Sequence, residues 1–209
     1  MKPIRTDLIQ LFTRPIVKKY TNCVCLAMRN PFAGIYLGAW RDTSVFKAIK
    51  ESKPVSTRRD GDILIWHSGR QYHFGVVCGG GDPKKNPVFV VMQFGRGGPI
   101  YYMPYDTALE VCGETYRNPP IRVRSFELPL RHSYRSEEYS RALKLLENKD
   151  WDLIEYNFKF FDKTIKDDIV NIELDKETKK RNFPIKKWLS GKEGVHDVRT
   201  LSAIKAAAG

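Results

Sequence analysis

Cysteine is scarce in this sequence, which has four cysteines among 209 residues. Cys23 and Cys25 are one residue apart, while Cys78 and Cys112 stand alone, so no two of them have the CxxC spacing that zinc sites use. Four thiols are also too few for a disulfide framework in a chain of this length. The sequence therefore predicts reduced thiols, no metal site and no cofactor.

Long apolar runs are also missing. No stretch approaches the roughly 20 apolar residues that a membrane-spanning helix needs. The N-terminal segment begins with basic residues, but Asp7, Gln10 and Pro15 interrupt its apolar ones, so it lacks the continuous apolar core of a signal peptide. The sequence predicts no transmembrane segment and a protein that is cytoplasmic where it is made. Release by lysis or injection would be the routes to any action outside the cell.

Acidic residues are fewer than basic ones: the sequence has 24 Asp and Glu and 36 Lys and Arg, which gives a formal net charge of +12. This charge attracts nucleic acid, an anionic membrane surface or an acidic cell-wall polymer, and it is compatible with each of them. No nucleic-acid-binding module is recognisable. A solvated basic surface without a specific partner is the alternative. We predict that polyanions bind a cationic segment formed by Lys179, Lys180, Arg181, Lys186 and Lys187.

The order of apolar patterns predicts an α+β fold. Residues 21–50 have mixed helical spacing with a break, which predicts two short helices. Helical periodicity returns from Ser136 and again over residues 151–172. We predict a domain over residues 1–132 and a helical extension with a basic tail over residues 133–209. Between the helical regions, short connections predict antiparallel strands at residues 61–66, 72–78, 87–94, 100–103 and 121–126.

Cys23 stands where the first of these helices begins. A thiol at a helix N-terminus is stabilised as the thiolate by the helix dipole, and free backbone N–H groups nearby can receive an oxyanion. Asn22 and Val24 flank this cysteine and are candidates for positioning it and for binding the oxyanion. Cys25, two residues along the helix, points well away from Cys23 and is predicted to be packed in the core.

A nucleophilic thiol needs a base on a rigid neighbouring element. His73 lies inside the second predicted strand, where the alternation of side chains fixes which face its ring occupies. Gln93, near the end of the next strand, is the candidate for orienting the imidazole, and Met92 takes that place if the register differs by one residue. The pattern predicts a Cys23, His73 and Gln93 triad.

A set of short motifs in this order resembles the CHAP amidase and peptidase pattern, part of the wider NlpC-type peptidoglycan hydrolases. The set consists of residues 22–27, Trp40, Ala48, residues 61–66 and residues 73–77. It covers roughly residues 20 to 103. The resemblance implies a papain-like (NlpC-type) fold, in which a helix carrying the cysteine packs on a central antiparallel sheet.

The resemblance also implies a cysteine amidase or endopeptidase that cleaves peptidoglycan or another peptide through an acyl-enzyme. Cys23 would be the nucleophile, His73 the general base and Gln93 the orienting residue. Tyr72 stands where the family usually has glycine, and it is assigned with Trp40 to the substrate cleft. Trp66 is assigned to the same cleft, with burial in the core as the alternative for both tryptophans.

Two other classes of function remain open. The same triad could serve a thiol acyltransferase or lipase-like enzyme on a lipid, or the fold could be degenerate and the chain a non-catalytic, charge-driven binding protein. Residues 152–161 faintly resemble the cysteine helix of the permuted lecithin retinol acyltransferase-like proteins, with Phe158 in place of their cysteine. The remaining histidines, His67, His132 and His196, are interpreted as surface residues.

Overall fold

The computed structural model describes residues 6–69, 71–79, 88–129, 136–164, 189 and 192–198. Within these residues the chain has an α+β fold with a six-stranded antiparallel sheet of order β5-β1-β2-β3-β4-β6. The first five strands lie where the sequence predicts them, and the two-residue β6 was not predicted. The strands are β1 (Ile63–Ser68), β2 (Gln71–Cys78), β3 (Phe89–Gln93), β4 (Ile100–Pro104), β5 (Ile121–Val123) and β6 (His196–Asp197).

The helices before the sheet are shorter and more numerous than predicted. The segment from residue 21 to residue 51 holds three helices rather than two, because Asn30-Pro31 and the turn at Gly38 (φ 69°) interrupt it. A helix between β4 and β5 was not predicted. The helices are α1 (Thr6–Thr13), α2 (Pro15–Lys19), α3 (Cys23–Ala27), α4 (Ala33–Tyr36), α5 (Asp42–Glu51), α6 (Tyr105–Tyr116), α7 (Ser136–Asn148) and α8 (Trp151–Thr164).

The sheet has two apolar faces because successive strand side chains point to opposite sides. One face, here called the α3 face, carries Phe74 and Val76 of β2 and joins the core cluster that contains Cys23. The other, here called the α6 face, carries Val77 and Met92 and packs against α6. Each face thus buries a different set of strand residues under a different helix.

Helices α7 and α8 pack into the core cluster of the α3 face. Phe158 of α8 is fully buried, and its ring stacks on that of Phe32 with centroids 5.2 Å apart. Arg14, between α1 and α2, donates hydrogen bonds to Asp152 at 2.9 Å and to Glu155 at 2.8 Å. Phe158, the residue at the position of the cysteine in the faint resemblance given above, is therefore an ordinary core residue in this chain. The predicted division between residues 132 and 133 stays a prediction.

The glycine-rich turn after β3 is held by a close backbone approach. A Cβ atom at Gly98 would lie 1.6 Å from the carbonyl oxygen of Phe94, whereas a Cβ at Gly113 in α6 would meet nothing within 4 Å. We expect Gly98→Ala to lower the free energy of unfolding by about 2 kcal/mol or more, because the turn must open.

The matched control, Gly113→Ala, should raise the free energy of unfolding by about 0.5 to 1 kcal/mol, because alanine loses less conformational entropy in a helix. Urea unfolding followed by tryptophan fluorescence measures both changes. Equal effects of the two substitutions would contradict the tight turn at Gly98.

None of the described helices is both long enough and apolar enough to cross a membrane.

Candidate functional site

Cys23 is the first residue of α3, as the sequence predicts. Asn22 caps this helix: its Oδ1 accepts hydrogen bonds from the N–H groups of Val24 and Cys25, each at 3.1 Å. Its Nδ2 donates to the carbonyl of Ala39 at 3.1 Å. The N–H of Val24, predicted to be available to an oxyanion, is therefore already bonded to the cap.

The Cys23 thiol is enclosed by the protein, with 6% of the residue exposed. Burial raises its pKa to about 12, and the backbone amides of Phe74, Val24 and Cys23 itself lower it by less. Helix α3 spans only five residues, so its dipole is weak. The predicted lowering of the thiol pKa is thus reversed, because desolvation outweighs the helix terminus.

His73 lies on the α6 face, opposite to Cys23. Its ring stacks on Phe94 at a centroid distance of 4.8 Å and on Tyr116 of α6 at 6.1 Å, and Trp66 lies 6.2 Å away. Nε2 is buried without a hydrogen-bond partner, and burial lowers the pKa of the imidazole to about 3. No hydrogen bond joins this ring to the Cys23 thiol, although the structure describes both residues.

Gln93 faces the α3 side, and its side chain links β3 to the backbone of the segment before α3. Its Nε2 donates to the carbonyl oxygen of Thr21 at 3.3 Å, with a longer contact to that of Gly98 at 3.5 Å, and Oε1 is buried without a partner. It thus lies beside the segment that leads into Cys23 but across the sheet from His73. The structure brings Gln93 close to the start of α3 and does not bring it to the imidazole.

The three aromatic residues assigned to a substrate cleft have separate surroundings. Trp66 is fully buried on the α6 face, so it is a core residue and not part of an open cleft. Tyr72 is half-buried on the α3 face against Phe46, with ring centroids 5.3 Å apart. Trp40 is partly buried with its indole against Gly34, where a Cβ atom would lie 2.4 Å from the ring.

The turn after β3 contacts the residues that precede α3, which the sequence did not indicate. Arg96 lies over the Trp40 ring at 4.2 Å and donates from Nε to the carbonyl oxygen of Lys19 at 3.3 Å. Gly97 donates its N–H to the carbonyl of Thr21 at 3.0 Å. These contacts attach the turn to the residues that lead into α3.

The Gly-Asp pair that opens β1 has a structural role here. Gly61 has φ of 82°, which favours glycine, and the Asp62 carboxylate is 1% exposed. This carboxylate accepts the N–H of Arg59 at 2.8 Å and pairs with the Arg124 guanidinium. A motif that contributes to the hydrolase resemblance is thus explained by a buried ion pair at the sheet edge.

Basic side chains gather along the outer edge of the sheet at β5. The segment 52–59 runs beside β5, with the Val55 N–H donating to the Arg122 carbonyl at 2.8 Å. Arg122 and Arg124 in turn donate to the carbonyls of Ser56 and Thr57, each at 2.8 Å. The name basic edge is used here for Arg122 and Arg124, for Lys53, Arg58 and Arg59 of the segment 52–59, and for Lys50, which lies near the end of α5 just before that segment.

The remaining sequence predictions have mixed outcomes. Cys25 is fully buried, which confirms its predicted packing, and His67 is exposed. His196 is half-buried in β6, whereas His132 and the cationic segment from residue 179 to residue 187 lie outside the described residues. All four cysteines are free and buried. In the part of the chain that the structure describes, no group of His, Cys, Asp or Glu could hold a metal ion.

Comparisons with protein-family models, with curated protein sequences and with solved structures find no match to this chain.

Proposed function

We propose that this chain is a non-catalytic, charge-driven binding protein for an extended anionic polymer, and that its papain-like features are degenerate. The observation that carries the proposal is the separation of Cys23 and His73 by the thickness of the sheet. A nucleophile and its base must be within hydrogen-bond reach of each other, directly or through one water, and side chains on opposite faces of a packed sheet are not.

Each remaining part of the predicted catalytic apparatus has a structural role instead. Asn22 and Val24 close the helix cap, and Gln93 ties β3 to Thr21. The thiol is buried with a raised pKa and the imidazole is buried with a lowered one, which is the reverse of what an activated pair needs.

The positive support for binding is the basic edge together with the net charge of +12. Lys50, Lys53 and Arg59 are exposed and form no ion pair within the described residues, so their charges are available to a partner. Lys50 lies near the end of α5, and Lys53 and Arg59 belong to the segment that follows it and passes β5, so their positive charges add to a field that attracts a polyanion.

A binding experiment at several salt concentrations tests this function. We expect the triple variant with Lys50, Lys53 and Arg59 changed to Gln to bind a DNA duplex of arbitrary sequence more weakly. The slope of log affinity against log salt should fall by about one per residue removed. The duplex serves as a polyanion of known charge spacing.

The matched control removes three exposed charges from elsewhere, with Arg141, Lys144 and Lys163 changed to Gln. This control should bind as the parent does. A third variant neutralises the cationic segment from residue 179 to residue 187 and measures what that segment adds. Equal losses in the basic-edge variant and the control would refute a localised binding surface.

A cysteine amidase or endopeptidase acting on peptidoglycan is the second candidate. It is favoured by the placement of Cys23 as the first residue of α3, directly after the Asn22 cap. Activity would require β2 to shift by one residue so that His73 moves to the α3 face. The acyltransferase or lipase-like alternative uses the same triad and has the same requirement.

A peptidoglycan zymogram compares the two candidates, with Cys23→Ala and His73→Ala beside the parent chain. We expect no clearing from any of the three proteins. Clearing by the parent that both substitutions abolish, in variants with unchanged circular dichroism, would establish the hydrolase and overturn the non-catalytic proposal.

A further inference from the structure

A cavity of about 460 Å³ opens beside the C-terminal end of α3. It lies between the end of that helix, the start of β1, the segment that follows β5, and Tyr139 of α7. Its volume is within the range of small-molecule sites in proteins. One wall is apolar and is formed by Met28, Leu37, Ile63, Phe126 and Leu128.

Arg29 lines this cavity from a backbone position that is unusual for it. The end of α3 is closed by hydrogen bonds from the Arg29 N–H to the Leu26 carbonyl and from the Asn30 N–H to the Cys25 carbonyl, each at 3.0 Å. Arg29 has φ of 55°, the left-handed conformation in which such helix ends usually have glycine. A residue with a Cβ atom costs about 1 kcal/mol there.

The guanidinium of Arg29 is incompletely satisfied. Its Nη2 donates to the Gly61 carbonyl at 2.9 Å, but Nε is buried without a partner. It forms no ion pair with any described residue, and burial lowers its pKa, with partial compensation from Cys78 and Asp60. A partly buried guanidinium that keeps an unpartnered N–H offers both a donor and a positive charge to an acidic ligand.

A second donor faces the same space. Asn30 accepts the Phe32 N–H at 3.0 Å with Oδ1, which fixes its amide so that Nδ2 donates to Tyr139 Oη at 2.9 Å. Because Tyr139 Oη accepts that bond, its own proton is free for an acceptor in the cavity. Burial, opposed by the bond from Asn30, raises the pKa of this hydroxyl, so it stays a neutral donor.

Glu127 also lines the cavity and adds to the raised pKa of Tyr139. A carboxylate in this lining repels any anion, and it repels a dianion such as phosphate more strongly than a monoanion, whose single charge Arg29 can offset. A ligand that fits this lining has one negative charge, for the guanidinium and the phenolic donor, and a hydrocarbon body, for the apolar residues.

We infer that this cavity binds a small monocarboxylate with an apolar tail, held by Arg29 and Tyr139. The site goes beyond the proposed function, because none of the residues of the basic edge lines the cavity. Octanoate is the probe: titration calorimetry should detect binding. Octanol, which lacks the charge, and acetate, which lacks the tail, should each bind at least about tenfold more weakly.

Two matched substitutions test the role of Arg29. Arg29→Gly removes the guanidinium at a position whose backbone favours glycine, so the variant should fold, and it should raise the Kd for octanoate at least about tenfold. Arg117→Gly is the control, because Arg117 has the same left-handed conformation (φ 58°) at the end of α6 and does not line the cavity. It should leave the Kd unchanged.

Tyr139→Phe removes only the hydroxyl and should raise the Kd for octanoate about threefold. Octanol binding as tightly as octanoate, or Arg29→Gly binding octanoate as the parent does, would overturn the assignment. Absence of detectable octanoate binding by the parent chain would overturn it as well.

Discussion

Acidification from pH 7 to about pH 4.5 should lower the free energy of unfolding by about 3 kcal/mol through His73 alone. The imidazole has its ordinary pKa of 6.5 in the unfolded chain and a pKa of about 3 in the native protein, where burial disfavours the charged ring. Between these two values the unfolded chain binds a proton that the native protein does not. The contribution of the neutral His73 to the free energy of unfolding is therefore fully present above about pH 6.5. It is lost as the pH drops towards 3, at about 1.4 kcal/mol per pH unit.

His73→Phe isolates this contribution. Phenylalanine has a similar ring and can occupy the stack between Phe94 and Tyr116 without a titrating group. Urea unfolding of the parent and the variant at both pH values gives four stabilities. The difference in free energy of unfolding between parent and variant should change by about 3 kcal/mol from the higher pH to the lower one. The other titrating groups contribute equally to both proteins and cancel.

His67→Phe, at an exposed position of β1, is the control for the replacement of a histidine by phenylalanine. The same acid-induced loss of stability in the parent and in His73→Phe would mean that the native imidazole accepts a proton, which contradicts its enclosure on the α6 face.

Thiol reactivity should differ by about a thousandfold between the native and the unfolded chain. Burial raises the pKa of Cys23, Cys25 and Cys78 to about 12 and that of Cys112 further in the same direction. Three pKa units leave about a thousandth of the thiolate that a free cysteine has at neutral pH, and the thiolate is the reacting species. Iodoacetamide labelling with and without urea, followed by mass spectrometry, measures the ratio for each cysteine.

The sequence alone favours selective labelling of Cys23, and the structure favours uniformly slow labelling. Rapid reaction of Cys23 in the native protein, at a rate near that in urea, would contradict the burial of this thiol.

The strands were predictable because their signals are local. Apolar runs bounded by glycine and proline located β1 to β5 to within a few residues. Helix α6 was missed although Ala108, Val111 and Cys112 have helical spacing, because Gly113 and the β-branched residues lower its intrinsic helix propensity. The two-residue β6 has no local signal at all.

The side of the sheet on which His73 lies was not predictable. Alternation determines that Tyr72 and Phe74 share one face and that His73 takes the other, but only tertiary packing decides which face α3 covers. The pairing of Gly75 with Met92, continued along the strands, sets His73 beside Phe94 rather than beside Gln93. The sequence supplied a thiol, an imidazole and an amide in the predicted order along the chain. A difference of one residue in the pairing of β2 with β3 separates His73 from Gln93.

The cavity beside α3 could not be found from the sequence either. Asn30-Pro31 signals a helix break, which the structure bears out. Arg29 has no glycine to signal its left-handed conformation, and Tyr139 approaches from more than a hundred positions away through the packing of α7. Neither leaves a local pattern.

The pH dependence of Cys23 alkylation, measured in the parent and in His73→Phe, tests most directly whether thiol and imidazole lie on opposite faces. If the sheet separates the two groups, the rate should rise with pH without a plateau below about pH 9 and should be the same in both proteins. A plateau near neutral pH in the parent that disappears in His73→Phe would contradict this separation, because only an imidazole in contact with the thiol could produce that coupling.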